Sequence, residues 1–164
     1  MRERLVQEAT RLFAQRGYAS TSVADIQLAC GLTGGSGALG YTSTNNLANP
    51  FILNTLTLNS SATAGQTISG CDLDFRIDDV GAQIVQNGSG SFTISNGIIL
   101  TDPLTLAGSG AGITELTGVI SGGGGLLTTG GYWRLTNTGN TFTGGLNVGL
   151  NSFVELAPTG TNAP

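Results

Sequence analysis

The chain has 164 residues, 10% of them charged, a net charge of −4, 27 glycines and no histidine. The length allows one domain with a sizeable core, or one domain plus a small appendage. Lack of histidine excludes a Ser-His-Asp triad and any His-ligated metal, and the abundance of Ile, Val, Leu and Thr excludes the composition of a highly charged disordered chain.

The first 31 residues stand apart from the rest. They hold Arg2, Arg4, Arg11 and Arg16 against Glu3, Glu8 and Asp25, a net +1, whereas residues 32–164 carry −5. Leu5, Ala9, Leu12 and Phe13 recur at helical spacing, with polar residues on the opposite face, which predicts an amphipathic helix ending before Gly17. Ser20, Thr21 and Ser22 can cap a second short helix over Val23 to Ala29, with Asp25 in its first turn. The early arginines are not followed by an apolar run, so no secretory signal is expected, and no stretch approaches the ~18 apolar residues of a membrane helix.

Phe13, Gly17, Tyr18, Thr21, Ser22, Val23, Asp25, Ile26, Ala29 and Gly31 resemble the opening of a TetR-type transcriptional regulator. The resemblance implies a DNA-binding helix-turn-helix, with Thr21, Ser22, Thr33 and Tyr41 as candidate DNA-contacting residues. A recognition helix should then run from about Thr33 to Tyr41, where this chain places Gly34, Gly35, Gly37 and Gly40. Each glycine costs a helix roughly 1 kcal/mol relative to alanine, and the stretch offers no lysine or arginine to hold phosphates. Nucleic acid is therefore not the expected partner. Residues 1–33 are read as a helical pair resembling a truncated helix-turn-helix, or as a cap over the open end of a solenoid.

From Gly34 onward the pattern changes to period two. Ile52–Leu58, Leu73–Ile77, Phe92–Ile94, Leu104–Leu106, Leu116–Ile120, Trp133–Leu135, Leu146–Val148 and Phe153–Leu156 read as short strands, and Thr141–Thr143 as a further β-favouring run. Asn-Gly, Gly-Ser-Gly and Gly-Gly between them are turn formers. Leu56-Thr57-Leu58 recurs as Leu104-Thr105-Leu106, 48 residues on, and Ile68-Ser69-Gly70 as Leu116-Thr117-Gly118. That period suits two turns of a β-solenoid of roughly two dozen residues per turn. The predicted class is mainly β: a right-handed parallel β-helix (β-solenoid) segment over residues 34–164, preceded by a short α-helical pair over residues 1–33.

Gly122, Gly124, Gly125, Leu126, Gly130, Leu135, Asn140 to Gly145 and Val148 resemble the autotransporter-associated β-strand repeat, found in passengers of exported bacterial surface proteins. The resemblance implies export to the cell surface or beyond, a non-enzymatic structural or adhesive role, and cell-surface or extracellular partners, glycans among them. A cytoplasmic location is the alternative, tied to the regulator-like start. Together the two resemblances describe a passenger segment joined to the beginning of a regulator.

Candidate chemistry is sparse. On one strand Asp72, Asp74, Arg76 and Asp78 would share a face opposite Leu73, Phe75 and Ile77. Such carboxylates could hydrolyse a polysaccharide or bind calcium, although a solvated face neutralised by Arg76 is the simpler reading. Gly108–Gly112 and Gly122–Gly125 lack the helix or the Gly-Lys-Ser/Thr of a phosphate loop and read as turns. Tyr132, Trp133 and Arg134 form the other candidate ligand surface. No catalytic residue, cofactor or metal is expected. Cys30 and Cys71 lie in different zones and read as unpaired thiols, and the oligomeric state is left open.

Overall fold

The computed structural model describes residues 2–16 and 40–156. Helix α1 (Arg2–Arg16) is the first member of the expected helical pair. Leu12 is buried while Val6 is 60% exposed, as the amphipathic spacing requires. Arg11 binds Glu8 through Nε at 2.7 Å and Gln15 through a second guanidinium nitrogen. The predicted second helix, together with Thr21, Ser22, Cys30 and Thr33, lies outside the described residues.

Residues 40–156 form a parallel β-solenoid of about five turns built from three sheets. The first turn is β1 (Thr42–Asn45), β2 (Phe51–Leu53) and β3 (Thr55–Leu58). The second is β4 (Gln66–Gly70), β5 (Leu73–Phe75) and β6 (Ala82–Gln86), and the third β7 (Phe92–Ile94), β8 (Ile98–Leu100) and β9 (Leu104–Ala107). The fourth is β10 (Ile113–Leu116), β11 (Ile120–Gly122) and β12 (Leu126–Thr128); β13 (Gly131–Leu135), β14 (Leu146–Val148) and β15 (Ser152–Leu156) close the stack. Sheet A stacks β1-β4-β7-β10-β13-β15, sheet B β2-β5-β8-β11, and sheet C β3-β6-β9-β12-β14.

Period two explains the core. Within each strand alternate side chains point inward, and parallel register places like residues over one another. Ile68, Ile94, Leu116 and Leu135 form one inward column, and Phe51, Leu73, Ile98 and Ile120 another. Ala82, Leu104 and Leu126 form a third. Each fully buried Leu, Ile or Phe contributes about 1.5–3 kcal/mol over leaving it exposed.

The glycine clusters are corners, as expected. Gly108 has φ +138°, and a Cβ there would meet the Gln86 carbonyl of the turn below. Chain packs directly on chain at these corners: Gly90 N donates to Ser60 O at 2.9 Å and Gly110 N to Gln86 O at 3.0 Å. Any side chain between the layers would break that ladder.

Several expected strands are cut by corners. Ile52–Leu58 divides at Asn54, and Leu116–Ile120 spans the turn from β10 to β11. Leu73–Ile77 stops at Phe75. Thr141–Thr143 is not a strand, yet Thr141 N donates to Ile120 O and Thr143 N to Gly122 O, extending the sheet B bonding by one layer. The 48-residue echo is two turns on sheet A, where Ile68 meets Ile94 and Ile94 meets Leu116. On sheet C it is two residues short: Leu56 stacks on Ile84 and Ile84 on Leu106, a step of 50. The loop Arg76–Gly81 accounts for the extra length.

Candidate functional site

The acidic run does not form a shared strand face. Only Leu73, Asp74 and Phe75 are in β5. Leu73 and Phe75 enter the core, so Asp74 points to the opposite face, where it is 2% exposed. Its Oδ2 accepts from Arg76 Nε at 2.9 Å and from a terminal guanidinium nitrogen at 2.7 Å, while Oδ1 is buried with no protein partner. Asp72 sits at the corner before β5, its backbone N donating to Asn49 Oδ1 at 3.2 Å. Asp78 is exposed on the loop after it, its N donating to Val80 O at 3.3 Å. That loop is held by Asn54, whose Nδ2 donates to Arg76 O and Val80 O, and by Asp102, whose Oδ2 accepts from Ile77 N. The sequence pattern failed here because the strand ends one residue before Arg76. The expected solvated face is instead a buried carboxylate tied to a half-exposed arginine. Among the described residues no three Asp, Glu or Cys side chains converge as a metal site requires.

The second candidate surface changes its membership. Trp133 is fully buried, its Nε1 donating to Gly130 O at 2.7 Å, so it belongs to the core. Tyr132 and Arg134 flank it on β13 and point outward, where they meet Phe153 and Glu155 of β15 in register. Tyr132 Oη and Arg134 Nε both donate to Glu155 Oε2, at 2.8 and 2.9 Å. The Tyr132 and Phe153 rings meet edge to face at 4.5 Å, and Phe153 remains 57% exposed. Phe153 and Glu155 were missed as site residues, although a signal was present. Tyr-Trp-Arg-Leu at 132–135 is echoed by Phe-Val-Glu-Leu at 153–156, one turn later.

The electrostatics follow from the shared carboxylate oxygen. The Tyr132 hydroxyl, and then the Arg134 guanidinium, hold the Glu155 carboxyl below the usual glutamate range. The same Glu155 hydrogen bond pushes the Tyr132 phenol up, and it pushes Arg134 up. Beside this cluster a 540 Å³ groove is lined by Gly108–Ala111, Thr129–Tyr132 and Asn151. Farther down sheet A the outward positions are small and polar: Thr42, Thr67 and Thr93 in one row, Thr44, Ser69 and Ser95 in its neighbour. The aromatic and charged groups gather on the last layers.

Of the candidate DNA-contacting residues, only Tyr41 is described. It is 53% exposed just before β1, and its carbonyl accepts from Thr67 N at 2.8 Å. Tyr41 therefore leads into the solenoid. Cys71 is a free thiol of intermediate exposure. Among the described residues no helix is long and apolar enough to cross a membrane.

A family model described as bacterial regulatory proteins, tetR family, matches residues 5–36. The match takes in α1 from Leu5 onward, Thr21, Ser22 and Thr33, and stops before Tyr41 and the solenoid. No curated protein and no solved structure matches the chain.

Proposed function

We propose that residues 40–156 act as a non-enzymatic structural and adhesive passenger module of a bacterial exported surface protein. The observation that carries this reading is the uninterrupted parallel stack of three sheets. Such a stack is quasi-one-dimensional: each turn needs only its neighbours, so a rigid rod forms and its outer positions are free for contact. The Tyr132–Arg134–Phe153–Glu155 cluster is the contact surface in this reading, with cell-surface or extracellular molecules, glycans included, as partners. The test is surface display. The chain is fused between a secretion signal and an outer-membrane barrel, and bacterial adherence is compared with the barrel alone. Increased adherence that falls with Phe153→Ala is expected; adherence equal to the barrel alone sinks the adhesive role.

The match at residues 5–36 favours a second reading, a DNA-binding fragment of a TetR-like regulator fused to the repeat segment. It requires affinity for duplex DNA that falls steeply with salt, because phosphate contacts release counterions. Titration of labelled duplex at low and physiological salt decides it, and no binding at low salt ends this reading.

A further inference from the structure

Every strand pair in the solenoid is parallel, so its two ends are the two halves of one repeating interface. At one end β1, β2 and β3 are edge strands; at the other β15 and β14 are. The inward columns run out at both ends. Leu135, Phe142, Leu146 and Leu156 line a 440 Å³ hollow at the last turn, and Phe51, Leu53, Leu56, Ile68 and Leu73 line one of 320 Å³ at the first. Large apolar side chains are exposed at both: Leu47 is 79% exposed, Leu150 89% and Leu156 66%.

Sheet edges that must stay single are usually blunted by lysine, by inward charges or by proline within the strand. Residues 42–58 contain no charged residue, and Pro50 lies in the corner before β2. Residues 146–156 contain one, Glu155, already bound to Tyr132 and Arg134. The negative charge of the solenoid sits in its middle turns, at Asp72, Asp74, Asp78, Asp79, Asp102 and Glu115. Stacking the ends therefore opposes no charges, continues the parallel hydrogen bonding and covers both hollows.

We propose that copies of this chain stack head to tail, the first turn (42–58) of one on the last (146–156) of another. The two surfaces differ, so the contact is heterologous; a translation along the solenoid axis does not close, and it yields an open filament. Strand addition supplies the main-chain bonds, and the apolar columns supply the register.

The test uses the full chain and two variants, Leu47→Lys at the first turn and Leu156→Lys at the last. Both sites are already exposed, and circular dichroism checks that each variant keeps the β spectrum. By sedimentation, wild-type mass should rise with concentration far beyond the 16.6 kDa monomer, with no plateau at the dimer. Each variant alone should remain monomeric, because every copy lacks the same end. An equimolar mixture should form a one-to-one dimer and stop there, since the sound last turn of one variant meets the sound first turn of the other. A wild-type monomer at all concentrations would mean that other parts of the chain cover the ends, and overturns the proposal. A plateau at the dimer, growth of either variant alone, or a mixture that stays monomeric overturns it too.

Discussion

Asp74 sits between Ile52 and Ile99 in the register of sheet B, at a position where the neighbouring layers carry apolar side chains. Burying a carboxylate is costly unless it is paired, and its pairing is one-sided: Oδ2 takes both bonds from Arg76 while Oδ1 has no protein partner. The two substitutions that break the pair should therefore differ. Arg76→Ala leaves a buried carboxylate uncompensated. Because the arginine is half exposed, solvent offsets part of the loss, and we expect a destabilisation of about 1–3 kcal/mol. Asp74→Val removes the buried charge, suits a strand position between two isoleucines and returns Arg76 to water. It should be neutral or stabilising by about 1 kcal/mol. Urea denaturation of both variants checks the order; Asp74→Val costing as much as Arg76→Ala would contradict this account.

At the scale of elements, β13 and β15 show how a sheet face gains a pH response. The Glu155 carboxyl is lowered by the Tyr132 and Arg134 hydrogen bonds, so its contribution is complete above the ordinary glutamate pKa and fades as pH falls through the lowered one. The Tyr132 phenol is raised by Glu155, so its contribution is complete below the ordinary tyrosine pKa and fades as pH rises through the raised one. Unfolding midpoints measured against pH should fall at both extremes. Glu155→Gln should flatten both limbs, and Tyr132→Phe should remove the alkaline limb while Arg134 preserves part of the acid one. An unchanged alkaline limb in Tyr132→Phe would place its cause elsewhere. The same elements show what the sequence made legible. Phe92–Ile94 and Leu146–Val148 read correctly because alternation and flanking turn residues agree. Leu116–Ile120 misled because Thr117, Gly118 and Val119 continue a β-favouring composition through a corner, which only the carbonyl of Asn96 against Gly118 reveals. Strands such as Ala82–Gln86 and Ile98–Leu100 went unread although their inward residues are buried. The site was half legible: Tyr132 and Arg134 stood out as exceptions in a polar run, but their partners come from the next turn, and pairing across turns needs the register.

For the molecule as a whole, register is the organising quantity, and its steps are unequal. Between the first and second turns the step is 25 residues on sheet A and 28 on sheet C, so neither can be removed without shearing one sheet against another. Between the third and fourth turns it is 22 on all three: Phe92 to Thr114, Ile98 to Ile120 and Leu104 to Leu126. Deleting residues 92–113 should therefore place β10, β11 and β12 on β4, β5 and β6 with every column intact. Thr114 would lie over Gln66, Leu116 over Ile68, Ile120 over Leu73 and Leu126 over Ala82. The local losses are the Asp102 bond to Ile77 N and the Asn96 bond to Cys71 O, each worth about 0.5–1.5 kcal/mol. Since each turn contacts only its neighbours, the shortened chain should fold with the same β circular dichroism per residue and unfold cooperatively. Its dependence on denaturant should be shallower, in proportion to the surface removed. Deleting only residues 92–102 shifts the later strands by half a turn, sets corners over strands and should abolish the cooperative transition. If the half-turn deletion folds as well as the full one, the columns do not set the register, and the solenoid's stability comes from its corners instead.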